Sequence, residues 1–139
     1  MTAKEYLKQA FHIDRRINDK LEQISSLRDL ATKATSIIND MPGSATHDPH
    51  SMQEVIAKII DDEAAVSAAI DRLVDLKRDI RHTIEQVPDE NEKMLLEQRY
   101  LSFKSWERLA EDMNFSLRWV HIMHGRALKA VEKILAAKS

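Results

Sequence analysis

Counting from Tyr6 in steps of four and three lands on Ala10, Ile13, Ile17, Lys20, Ile24, Leu27, Ala31, Ala34, Ile38 and Met41. All but Lys20 are uncharged and largely apolar, the spacing of a helix with one buried stripe. Thr2 and Glu5 form an S/T-x-x-E capping box that starts this helix near Ala3. Met41-Pro42-Gly43-Ser44 ends it, because proline and glycine both break a helix. The same count from Met52 gives Ile56, Ile59, Glu63, Val66, Ile70, Leu73, Lys77, Ile80, Ile84 and Val87, with Glu63 and Lys77 as the two charged exceptions. A second box, Ser51 to Glu54, opens that helix, and Pro88 requires it to stop. Two stripes of equal length joined by a short turn predict an antiparallel coiled-coil hairpin. Its register sets Met41 near Met52, Leu27 near Val66 and Tyr6 near Val87. Lys20 then faces Leu73 and Glu63 faces Ala31, both charges leaning out along their stems.

Beyond Pro88 the pattern shortens. DENEKMLLEQRYL predicts a helix over about 89–101, SFKS breaks it, and Ser105 caps WERLAEDM, where Trp106, Leu109, Ala110 and Met113 share a face. Asn114-Phe115-Ser116 is a tight corner, and Ser116 caps a last helix reaching about Ala136. A short and a long helix joined by such a corner are the pattern of a helix-turn-helix. The expected fold class is therefore all-α: a hairpin over residues 1–87 and a small three-helix helix-turn-helix domain over residues 88–139.

At 100° per residue, Val120, His124, Ala127, Val131, Leu117, Ile134 and Leu135 fall on one side of the last helix, with Met123 and Leu128 at its margins. Arg118, Trp119, Ile122, Gly125, Arg126 and Lys129 fall on the other, and His121 at the border. An isoleucine and a tryptophan beside an arginine suit the major groove, where apolar groups meet thymine methyls and arginine pairs with guanine. The alternative is that Trp119 packs on the hairpin or on a second subunit. Gly125 in mid-helix suggests close approach of another helix or backbone. Arg126, Lys129 and Lys133, a turn apart, are placed to hold phosphates, as are Lys104 and the backbone N–H groups behind Ser105 and Ser116.

Composition narrows the classes. The 139 residues contain no cysteine, two glycines and three prolines, so disulfides and thiol chemistry are excluded and long helices favoured. The formal charge of −2 excludes a general polyanion binder, but residues 115–139 carry five basic side chains and one acidic. An anionic partner is expected at that end. No apolar run of membrane length and no signal-peptide pattern occurs, so a cytoplasmic protein without membrane contact is expected. His47-Asp48-Pro49-His50 reads as a solvated turn rather than a metal site, and His12 and His82 stand without evident partners. No phosphate loop, nucleophile with base, or cofactor motif is found, so no enzyme, metal or cofactor is expected.

The run LLEQRYLSFKSWERLAEDMNFSLRWVHIMHGRALKAVEKIL resembles the promoter-reading C-terminal domain (region four) of bacterial sigma factors. The resemblance lies in a leucine helix ending in Arg99-Tyr100, a first helix with Trp106, Leu109 and Ala110, and a recognition helix closing in Ala127-Leu128. The His-Gly-Arg-Ala-Leu ending, the start MTAKEYLKQA and the turn DMPGS resemble small prophage proteins of Gram-positive bacteria, related to late-gene regulators of the ArpU and RinA kind. The resemblance implies base-facing roles for Leu117, Arg118, Trp119, His121 and Ile122. Several of these are apolar where sigma factors carry Arg, Glu or Gln, so another DNA sequence is implied, and nothing corresponds to the promoter-melting domain.

The expected function is a phage or prophage transcriptional regulator that binds double-stranded DNA and forms a homodimer through the hairpin, with host RNA polymerase as a further partner. Ile13, Ile17, Ile24, Leu27, Ile59, Val66, Ile70, Leu73 and Ile80 are the expected oligomerisation residues. Flanking Leu7, Phe11, Leu21, Leu30, Ile37, Val55, Ile60 and Val74 would be poorly covered in a lone hairpin, so either docking on the C-terminal domain or, in preference, a four-helix bundle of two copies is expected, with a plain spacer as the alternative. The alternatives are a small-terminase-like DNA-packaging oligomer and a polymerase-binding protein that does not touch DNA.

Overall fold

The structure, a computed structural model, describes the backbone of residues 1–40 and 49–138 and the side chains of residues 1–33 and 51–138. The break at Met41-Pro42-Gly43-Ser44, His47 and Asp48, the Met41 pairing and the side chains of Ala34, Ile37 and Ile38 lie outside the described residues, whereas the backbone of Pro49 and His50, expected in a turn, is helical. Five helices follow in order: α1 Ala3–Asp40, α2 Pro49–Glu85, α3 Glu90–Tyr100, α4 Trp106–Met113 and α5 Leu117–Ala137. The protein is all-helical, with no strand among the described residues. None of the described helices is long and apolar enough to cross a membrane.

The caps explain the boundaries. Glu5 N donates to Thr2 Oγ1 at 3.1 Å and Thr2 N to Glu5 Oε2 at 3.3 Å, a reciprocal capping box. Asp89 caps α3 by accepting from Glu92 N at 3.0 Å. The second predicted box is displaced: α2 begins at Pro49, which leaves Ser51 inside its first turn. Proline suits a first helical position, where its missing N–H would have no intrahelical partner.

Contacts divide the chain into two compact units, residues 1–14 with 72–139 and residues 15–71. This division differs from a boundary at Pro88. In the larger unit Ala3, Leu7 and Ala10 of α1 and Ile80, Ile84 and Val87 near the end of α2 share one core with Leu95, Leu96, Leu109, Val120, Ala127 and Val131. The reason is area: α3, α4 and α5 are too short to close a core by themselves, and the ends of the long helices supply the missing apolar surface. Tyr6 fixes this packing, its hydroxyl donating to Asp79 Oδ2 at 2.6 Å and lying 3.0 Å from Thr83 Oγ1. Burial, helped by Asp79, pushes the phenol up to about 12. Lys138 Nζ reaches the fully buried Thr83 at 3.2 Å.

In the unit 15–71, Ile17, Ile24, Ile59 and Val66 are buried while Leu27 is half-buried. Glu63 leans outward as the sequence suggested, its side chain exposed, whereas Lys20 is half-buried. Lys20 lies 3.5 Å from Asp62 rather than beside Leu73, and Glu63 pairs with Arg28 rather than facing Ala31 alone. A stripe that repeats every seven residues does not by itself specify which charged residues meet across it. Asp62 is only 6% exposed, and no hydrogen bond to its Oδ2 is present. Ile70, expected in the seam, is 43% exposed, as are Leu21 (47%), Leu30 (55%), Ile56 (48%) and Ile60 (59%). Of the other expected oligomerisation residues, Ile80 is buried in the core of the larger unit, where Ile13 and Leu73 are half-buried. Leu7, which a lone hairpin would leave poorly covered, is fully buried there against residues of α3, α4 and α5, and Phe11 packs edge-on to Phe103 at 5.9 Å.

Candidate nucleic-acid interface

The corner between α4 and α5 is set by three backbone devices. Ser105 accepts from Arg108 N at 3.1 Å and Ser116 from Trp119 N at 3.1 Å, capping each helix. Between them Asn114 adopts a left-handed conformation, φ 59°, which an Asx side chain tolerates better than most. The N–H of Asn114 then meets the Glu111 carbonyl and that of Phe115 the Ala110 carbonyl, ending α4 within two residues.

α5 is anchored from below. Val120, Met123, His124, Ala127 and Val131 are buried, so Met123 belongs to the core rather than its margin. His124, 8% exposed, meets the Tyr100 hydroxyl through Nε2 at 2.5 Å, with the two rings stacked at 5.8 Å. Burial pushes Tyr100 up to about 12, so the phenol keeps its proton in this bond. Burial, then the charges of Lys4, Arg99, His121 and Lys8, bring His124 down to about 4. It is therefore neutral near pH 7 and bonded to Tyr100 through Nε2.

Above this anchor Trp106 sits in a stack. The Arg99 guanidinium lies 4.4 Å from its ring centroid, His121 4.8 Å and His124 4.6 Å. Arg99 is also held by a 2.7 Å bond from Nη1 to the Lys104 carbonyl. Sequence reasoning grouped Trp106 with the α4 core face; its partners at 99, 121 and 124 come from two other helices, which spacing along one helix does not reveal.

The five expected base-reading residues are all exposed and share the first turns of α5. Leu117 is 42% exposed, Trp119 37% and Ile122 40%, beside exposed Arg118 and His121. Leu117, on the core side by helical angle, is uncovered because it is the first residue after the corner. Trp119 carries the Arg126 guanidinium 5.2 Å from its centroid, a partner on its own helix.

The expected phosphate-binding residues are more scattered. Lys104 is already engaged, 2.9 Å from Asp112 and 3.2 Å from Gln98 Oε1. The hydrogen bond from Lys104, with Arg108 beside it, holds the Asp112 carboxyl below the usual range. Ser105 and Ser116 serve as caps. Arg126, Lys129 and Lys133 line one open cleft that also contains Asp89 and Glu92. Burial and Asp89 raise the Glu92 pKa, and Arg126 opposes them.

Gly125 was expected to admit a close neighbour, yet a Cβ built there would meet nothing within 4 Å. Without an intramolecular reason for the glycine, Gly125→Ala is expected to stabilise the free protein by about 0.5–1 kcal/mol, the helix-propensity difference. Thermal melting checks this, and a lowered midpoint would contradict the open space.

Comparison of the chain with protein-family models, with curated proteins and with solved structures finds no match.

Proposed function

We propose that this protein is a sequence-specific DNA-binding regulator of the phage or prophage kind, reading duplex DNA with the first turns of α5. The observation that carries the reading is the face formed by Arg118, Trp119, His121 and Ile122. It is exposed and mixes a cation with apolar groups, while Val120, Met123 and His124 hold the same turns rigidly from behind. A rigid helix with such a face is what direct readout in the major groove requires. In this reading α3, α4 and α5 act as a helix-turn-helix unit of the sigma region-four type, and α1 and α2 as an antiparallel hairpin arm. Host RNA polymerase is a further partner under the same resemblance.

Exposed Leu21, Leu30, Ile56, Ile60 and Ile70 support self-association through the arm, since this much uncovered aliphatic surface is unusual on a monomer. They equally favour a second reading, a small-terminase-like packaging oligomer. Solution mass separates the two: a dimer supports regulation and a closed ring of many subunits supports packaging. A polymerase-binding protein without DNA contact would keep polymerase binding in an Arg118→Ala, Lys129→Ala double variant.

The direct test is selection of bound duplexes from a random pool, followed by titration. Arg118→Ala is expected to reduce preference for the selected duplex over random DNA by about fivefold to tenfold. Lys129→Ala should weaken both duplexes alike and lower the salt slope. Absence of duplex binding at low salt would count against the whole reading.

A further inference from the structure

A cavity of roughly 90 Å³ lies between α1 and the end of α3, lined by Lys8, Phe11, His12, Arg99 and Tyr100. Three of the five lining residues carry nitrogen donors that are or can become cationic, two are aromatic, and none is a carboxylate. By liquid volume it holds about three waters, room for a phosphate group but not for a nucleobase with its sugar. Its cations are pre-positioned. Leu7 and Ala10, buried on the neighbouring face of α1, fix the turn that presents Lys8, and His12 stands one turn beyond it at the exposed rim. The Arg99 fork is locked by its stack on Trp106 and its bond to the Lys104 carbonyl, which uses one of its five N–H donors.

We infer that this cavity seats a phosphate of the DNA backbone, gripped by Lys8 and Arg99 with His12 at the rim. The inference rests on the DNA-binding reading and extends it to residues of α1 and α3. The link to the reading face is direct: Arg99 stacks on Trp106, and Trp106 on His121 of α5. Lys4, Lys8, Arg99 and His121 are also the four charges that act on the buried His124, so positive charge gathers on this side of the unit. A duplex laid along α5 carries phosphates on both flanks of the groove, and a fixed Arg–Lys pair beside the start of α4 would hold one in register.

The test uses full-length Lys8→Gln and His12→Gln, each checked for an unchanged melting temperature, against a selected and a random duplex over a range of salt. Lys8→Gln is expected to weaken both duplexes by about threefold to tenfold and to reduce the salt slope by about one. His12→Gln should weaken both in the same direction by less. Wild-type affinity and slope in both variants, with Arg118→Ala still altering preference, would overturn the phosphate seat while leaving the DNA reading intact. If the wild-type protein binds no duplex, the DNA reading fails first. Inorganic phosphate then decides the cavity: Lys8-dependent shifts of the Phe11 and Tyr100 ring signals would reassign it to free phosphate, and no shift would remove the site altogether.

Discussion

A fragment spanning residues 88–139, cut at the boundary the sequence pattern suggests, is expected to be largely unfolded. The fragment lacks Leu7, Ile80, Ile84 and Val87, all of which are at most 1% exposed in the folded protein. Burying each such side chain stabilises by about 1.5–3 kcal/mol, so the four together contribute about 6–12 kcal/mol. A segment of this size has a total stability of only about 3–8 kcal/mol. Their own ordering cost disappears with them, but the cut strips the cover from Leu95, Leu96, Val120 and Val131, a loss comparable with the whole margin. Far-UV circular dichroism should show weak helix content and heating no cooperative transition. A sharp transition near that of the full chain would mean that α3, α4 and α5 are self-sufficient.

Acidification should destabilise the protein through His124. In the unfolded chain its imidazole takes up a proton near pH 6.5; in the folded protein burial and the cations around it delay this to about pH 4. Between those values the unfolded state binds the extra proton, so the contribution of neutral His124 is complete above pH 6.5 and is lost as pH falls toward 4. Allowing for the solvent that still reaches the ring, the loss by pH 5 is about 1–2 kcal/mol. Urea midpoints measured at pH 7.5, 6 and 5 should fall in this order. His124→Gln, which keeps an acceptor for Tyr100 and does not titrate here, should start less stable but lose less. An identical pH dependence in the two proteins would show that other groups control acid unfolding.

How far the sequence carried depended on whether the signal was local. Capping side chains at Thr2, Ser105 and Ser116 act within three residues, and each was legible as a short pattern followed by apolar spacing. The exposed face of α5 followed from angle alone, apart from Leu117, whose exposure reflects its place at the corner. Cross-helix pairing was not legible in the same way, because a seven-residue repeat fits its partner in several registers. Lys20–Asp62 and Arg28–Glu63 are such cross-helix partners, and nothing along either helix announces them. The stack of Arg99, Trp106 and His121 was equally hidden, since three helices contribute one residue each. Gly125 misled for a related reason: a mid-helix glycine implies a neighbour, and within the chain there is none.

The Tyr6–Asp79 bond joins residues 73 positions apart, and Lys138 reaches back 55 positions to Thr83. Helical proteins usually fold fast because most of their contacts are local. Here the larger unit closes only when residues 3–10 return to segments synthesised much later. Until then Leu7 and Ala10 on one side, and Leu95, Leu96 and Val131 on the other, are greasy surfaces awaiting each other. On the ribosome this core is therefore completed only after α5 has emerged, however early the individual helices form.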